Sequence, residues 1–192
     1  MKELSDYSGE YNPDIEYADF SKDVLVKLLK EYARLYLLHD GAWNTIVSRE
    51  LGADRVCDLG NEAWEMTYNH SSLRKFTEAL DIKGNDVLTY MKIIQMTPEG
   101  LATGGLWEYT VDIKNNNHVM MTISRCVSLE YFERHGLEEQ ITGVCGAGGM
   151  EEVAMEKYAH FVNPDIQIIP LKLPPRKGPD DICCRWEFKL EQ

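Results

Sequence analysis

The sequence predicts an α+β fold: a helical N-terminal half packed on a C-terminal antiparallel sheet that carries helices on one face. Three observations carry that prediction. Apolar residues recur at three-four spacing through most of the first hundred positions, which is the signature of helical faces. Beyond Gly104-Gly105 the apolar period drops to two, and three asparagines separate two alternating segments. Finally, helical and strand-like segments come in blocks rather than in strict βαβ alternation, which favours antiparallel pairing with helices layered on the sheet.

The chain is read as an N-terminal arm, residues 1–19, and one α+β domain, residues 20–192, with a helical part over 20–100 and a sheet-containing part over 105–192. The arm is acidic and tyrosine-rich, has one proline and shows no period, so it is expected on the surface. Ser21 is a candidate N-cap, and Val24, Leu25, Leu28, Leu29, Tyr32, Leu35 and Tyr36 form one helical face behind it. Asp40-Gly41 is expected to break or bend this helix, with a second amphipathic stretch running from Trp43 to Leu51-Gly52. Helical patterns follow over 54–68, 71–80 and 84–95.

In the second half, Trp107, Tyr109, Val111 and Ile113 alternate with more polar residues, and Val119, Met121 and Ile123 do the same beyond the asparagines. Asparagine tolerates the positive φ of a tight turn, so this reads as a β-hairpin. A short helix over Leu129–His135 precedes the stretch GVCGAGG, and a helix from about Met150 to Phe161 ends at Asn163-Pro164. The segments IQIIPLKL and ICCRWEFKL are the last two strands, joined by the loop PPRKGPDD.

With 192 residues, 44% of them hydrophobic, the chain is long enough to bury a substantial core. Thirty-two acidic against twenty basic residues give a formal charge of −12, which repels phosphate backbones and anionic membrane surfaces. Neither nucleic acid nor membrane is an expected partner. No apolar run approaches the roughly 20 residues a membrane span requires. No charged segment leads into an apolar one at the N-terminus, so the expected location is cytoplasmic. Five cysteines, an odd number, argue for reduced thiols over a disulfide framework.

Three of those thiols end or begin elements of the second half. Cys126 closes the hairpin, and Cys184 shares the apolar face of the last strand with Trp186, Phe188 and Leu190. Cys183 falls on the opposite, polar face. Cys145 lies in the glycine-rich turn ahead of a helix, where backbone N–H groups and the helix dipole can lower a thiol's pKa, so it is the candidate nucleophile. If the three ends converge, Cys126, Cys145 and Cys184 could form a three-thiolate site for zinc or iron, although no CxxC pair is present. The alternative is separate buried thiols, since free cysteine is among the most buried residue types. The glycine turn lacks the Gly-Lys-Ser/Thr ending of a P-loop, which sets nucleotide binding aside. The five histidines are scattered without metal-binding spacing, and Glu151 and Glu152 read as ordinary dipole partners of the helix that follows. Trp43, Trp64, Trp107, Tyr109 and Trp186 are the candidate lining of a pocket between the two layers, with plain core as the other reading.

The segment FSKDVLVKLLKEYARLYLLHDGAWNTIV, the run TISRC, the run from Cys145 to NPDIQI and the ending CRWEF resemble an uncharacterised family of prokaryotic cytosolic proteins. That family looks related to the L-2-amino-thiazoline-4-carboxylic acid hydrolase-like proteins, and the resemblance covers about residues 18–190. More distantly, residues 140–190 look like the 4-vinyl reductase ligand-binding domain, which closes a small-molecule cavity with a cysteine-bearing last strand. The first likeness implies cysteines at the places of Cys126, Cys145 and Cys184, with more before the last strand. Here IIPLKLPPRKGPDD contains none, so a four-cysteine site is not complete, and what is expected is at most a three-thiolate site that Cys183 or a histidine could extend.

Two function classes are expected. One is a cytosolic small-molecule-binding protein with a pocket between helices and sheet and a cysteine-containing site. The other is a cysteine- or metal-dependent hydrolase of small cyclic C–N or C–S compounds, the class that the thiazoline hydrolase-like kinship implies. The partner in either case is a small molecule, and a homodimer is compatible with both.

Overall fold

The computed structural model describes residues 3–101 and 105–191, so Gly104, half of the predicted boundary between periods, lies outside the described residues. The architecture is α+β, with helices through the N-terminal half and a four-stranded antiparallel sheet in the C-terminal half. Helix α1 spans Lys22–Leu51 and α2 spans Ala53–Thr67. The expected break at Asp40-Gly41 does not occur: α1 runs through both residues. A glycine inside a helix costs only about 1 kcal/mol relative to alanine, and here the Thr45 hydroxyl donates to the Gly41 carbonyl at 2.8 Å. The turn between helices falls instead at Gly52, whose φ of 91° suits glycine.

Helix α3 (His70–Ala79) is capped by Asn69, whose side chain accepts from the Ser71 and Ser72 amides. Helix α4 (Val87–Met96) starts three residues later than its periodicity suggests because Asp86 caps it, accepting from the Thr89 amide at 2.8 Å. Val87, Tyr90, Ile93 and Ile94 of α4 are buried, which makes it the central core helix. The arm lies along the start of α1: Leu4 bridges to Phe20, and the Tyr17 and Tyr32 hydroxyls hydrogen-bond at 3.1 Å.

Strands β1 (Trp107–Asn115) and β2 (His118–Cys126) form the expected hairpin around Asn116-Asn117. Strands β3 (Gln167–Lys172) and β4 (Cys184–Lys189) complete the sheet in the order β1-β2-β4-β3. Pro170 is tolerated because β3 is an edge strand, where a missing N–H need not break the ladder. The register sets Val119 opposite Phe188, Met121 opposite Trp186 and Ile123 opposite Cys184, so one buried apolar face spans the middle of the sheet. Arg185, Glu187 and Lys189 alternate to the other face, where the His118 ring and Glu187 carboxylate pair at 2.7 Å. Helix α5 (Val127–His135) follows β2 directly, a single turn α6 (Glu138–Gln140) runs into a π-helical turn over Ile141–Cys145, and α7 (Met150–Val162) closes the core. Among the described residues no helix is long and apolar enough to cross a membrane.

Candidate functional site

The ends of four segments meet at one corner of the sheet. Cys126 is the last residue of β2, Cys184 the first of β4, Cys145 ends the π-helical turn, and Glu151 sits in the first turn of α7. Together with Cys183 they line a cavity of about 20 Å³, room for roughly one water molecule. Trp107 and Trp186 form its aromatic walls, and Pro174 of the proline-rich loop reaches in from above. The Trp186 indole N–H donates to the Cys184 sulfur at 3.2 Å, which fixes the ring against the thiol.

Cys183 departs from strand alternation. Its expected place on the polar face assumes a strand through residue 183, but β4 begins one residue later. The Cys183 amide donates to the Ile123 carbonyl at 2.9 Å and its thiol to the Ser124 carbonyl at 3.5 Å, where the Arg176 guanidinium also covers it. Cys183 is therefore fully buried beside Cys184.

The electrostatics of the corner favour neutral groups. Burial pushes the Cys126 and Cys145 thiols well above their ordinary range, with the Glu151 carboxyl adding to the effect. Burial takes Cys184 up to about 12 and raises Cys183 as well, the latter in spite of Arg176. Glu151 is pushed up to about 8 by burial, with Glu99 and Asp40 adding repulsion, so it holds its proton at neutral pH. The helix terminus ahead of α7 does not activate Cys145, because an apolar wall and a carboxyl outweigh a dipole. Ahead of the helix, Glu152 accepts from the Gly148 amide at 2.8 Å. The two glutamates thus divide: Glu152 serves the helix terminus, and Glu151 turns inward.

The glycines of the turn are packing residues. A side chain on Gly143 would run into the Cys57 sulfur, and one on Gly149 would meet three backbone oxygens. Cys57, on α2, is packed against the core through this contact. A π-helical turn is uncommon and recurs at functional sites.

Of the residues singled out in the sequence, Cys126, Cys145, Cys184, Trp107 and Trp186 come together. The expected aromatic pocket does not form as one cavity. Tyr109 stands further along β1 and donates its hydroxyl to the Gly100 carbonyl at 2.9 Å. Trp64 stacks on Tyr68 in a separate cluster, with ring centroids 4.6 Å apart. Trp43 is 56% exposed, because α1 packs chiefly on α2 and not on the sheet. Although the three metal candidates share a cavity, among the described residues no three His, Cys, Asp or Glu side chains are arranged to hold a metal ion.

Comparison with known families matches residues 18–190, nearly the whole chain, to one family of unknown function. The chain belongs to DUF6125. No curated protein and no solved structure matches it. The match takes in every group at this corner, from Cys57 to Trp186. Glu151 is the member that sequence reasoning passes over, whereas Cys183 is admitted as an extension of the thiol site but assigned to the polar face. For Glu151 a signal existed: with Met155 and Tyr158 it forms an i, i+4, i+7 series on the buried face of α7.

Proposed function

We propose that this protein is a cytosolic small-molecule-binding protein whose site is the thiol-lined corner between the helices and the sheet. The observation that supports this best is the convergence of four thiols, two tryptophans and a protonated carboxyl on one cavity. Such a lining suits a small, neutral, partly apolar molecule, with the Glu151 carboxyl as hydrogen-bond donor and the indoles as flat walls. At about 20 Å³ the closed cavity admits no organic ligand, so binding requires the proline-rich loop to lift. That loop is held by side chains: Arg176 donates to Glu133 on α5, and Lys172 pairs with Asp181.

A cysteine hydrolase needs a thiolate, and burial keeps these thiols protonated. Hydrolysis of a small cyclic C–N or C–S compound stays as the second reading because of Glu151, since a carboxyl that keeps its proton to about pH 8 is a general acid at neutral pH. Alkylation rates across pH separate the two. The binding reading predicts slow labelling of Cys145 that rises only above pH 9, whereas a nucleophile would label rapidly at pH 7.

The same proposal includes a homodimer through α1. Leu35, Leu38, Trp43 and Ile46 are exposed on a helix of 30 residues whose other side packs on α2. Beyond the part of α1 that the arm covers, Leu35, His39, Ala42 and Ile46 follow the three-four spacing of a helix seam, with one histidine among the apolar positions, and a second copy of the same helix complements it.

A further inference from the structure

The two edges of the sheet are built differently. β3 is blunted by Pro170 and by a bulge between Pro170 and Lys172, both of which discourage strand addition. β1 carries no proline and keeps a regular register from Tyr109 to Ile113, and Thr110 to Asn115 are all exposed. On the face that the helices cover elsewhere, Val111 is 38% and Ile113 58% exposed, because α4 and α5 pack on β2 and α7 on β3. Among the described residues no strand pairs with the outer edge of β1.

The backbone fixes which groups face outward. The Ile123 carbonyl accepts from the Cys183 amide and the Asn117 carbonyl from the Leu190 amide, each at 2.9 Å, so odd-numbered residues here bond towards β4 and even-numbered ones towards β1. Thr110 and Asp112, opposite Thr122 and Met120, therefore bond inward, and the N–H and C=O groups of Tyr109, Val111 and Ile113 point out. An antiparallel partner pairs outward groups with outward groups, so a second β1 meets this one only in registers centred on a residue. Centring on Thr110 sets Glu108 against Asp112, and centring on Asp112 sets that carboxylate against itself. Centring on Ile113 runs into the bulge at Lys114 and the Asn116-Asn117 turn. Centring on Val111 sets Glu108 against Lys114 twice, Tyr109 against Ile113 twice and Val111 against itself. Opposite charges, and an aromatic ring against a β-branched side chain, are favourable cross-strand pairs, whereas like charges are not. Lys114 stays on the face of Asp112, with which it pairs, and Glu108 and Lys114 are both exposed.

We propose that β1 docks a second copy of this chain, antiparallel about Val111, so that two four-stranded sheets join into one. The occupant follows from the charge pattern, which the strand itself complements in this register. The contact is isologous, as a two-fold axis requires. It lies apart from the α1 seam and it is small, since residues 108–114 fall far short of the roughly 20–30 residues a side of a standard interface. A single edge contact is therefore transient, and covalent trapping reads it where sedimentation does not.

The test is disulfide trapping in the intact protein. Across a hydrogen-bonded antiparallel pair the two Cα atoms stand about 5.5 Å apart, within disulfide reach. Val111→Cys, oxidised with diamide, should give covalent dimer at least tenfold faster than Thr110→Cys, whose partner in this register is Asp112. Both positions are exposed, so the fold is kept, and the parent chain treated alike sets the background. In the Val111→Cys chain, Glu108→Lys slows trapping severalfold and adding Lys114→Glu restores it, a recovery that neither random collision of exposed thiols nor a damaged fold would give. Trapping persists when α1 carries Leu35→Glu and Ile46→Glu, so loss of the α1 dimer and loss of this contact are told apart. Equal rates at positions 110 and 111, no covalent dimer above background, or rates indifferent to the charge reversals overturn the proposal.

Discussion

Arg176 of the proline-rich loop reaches across to Glu133 on the last turn of α5, its Nε donating to Oε1 at 2.9 Å. The Arg176 side chain is only 5% exposed, so this pair is the principal clasp of the loop over the thiols. A charged hydrogen bond sheltered to this degree contributes about 2 kcal/mol. Glu133→Gln is therefore expected to lower stability by about that amount. It should also raise the alkylation rates of Cys183 and Cys184 severalfold, as read by peptide mapping after timed labelling. Labelling at the parent rate would mean that the loop is held by something else.

The π-helical turn is tested at Gly143. An added methyl group meets the Cys57 sulfur, so Gly143→Ala should destabilise by about 1–3 kcal/mol, the usual range for overpacking. Pairing it with Cys57→Ala makes room for the methyl, and chemical denaturation of the two single variants and the double should show a favourable coupling of about 1 kcal/mol. Additive losses would place the strain in the backbone and not in that contact.

Stability should fall with rising pH between about 4.5 and 8. Burial pushes the Glu151 carboxyl up to about 8 in the fold from an ordinary 4.5, so through this window the unfolded chain gives up its proton before the folded one does. The unfolded state then binds fewer protons, and the unfolding free energy decreases with pH. Glu99, also raised by burial, adds to the same trend. The urea midpoint should be higher at pH 5.5 than at pH 8, and Glu151→Gln should flatten the difference. A midpoint that climbs through this range would contradict the inward placement of Glu151.

Much of this was legible from particular residues. The asparagines at 115–117 marked the hairpin turn for another reason than the positive φ expected of them: among the described residues Asp81 is the only non-glycine residue with positive φ, and the Asn115 side chain closes the turn by accepting from the Asn117 amide at 2.8 Å. Alternation in CRWEF placed Cys184, Trp186 and Phe188 on one face, where the structure has them. Asp40-Gly41 misled, since helix-breaking tendencies are weak and the packing of α1 on α2 outweighs them. Cys183 misled because alternation holds only within a strand, and the strand starts after it. The scattering of the aromatic set over two clusters and an exposed helix face depends on which helices touch the sheet, information that periodicity does not carry.

The exposed side of α1 predicts a concentration-dependent dimer. Sedimentation velocity should show it for the parent chain and a monomer for the double variant Leu35→Glu, Ile46→Glu. Because both side chains are largely solvent-exposed, the far-ultraviolet circular dichroism should be unchanged. A parent chain that is monomeric at high micromolar concentration would remove the dimer from the account.

Native mass spectrometry with parallel elemental analysis, on protein purified without chelator, bears most directly on the thiol corner as a binding site. A retained organic mass, released on denaturation and lost when Trp186→Ala opens the wall of the cavity, is the predicted result. Near-stoichiometric zinc or iron that disappears with Cys145→Ser would contradict it and make the corner a metal site.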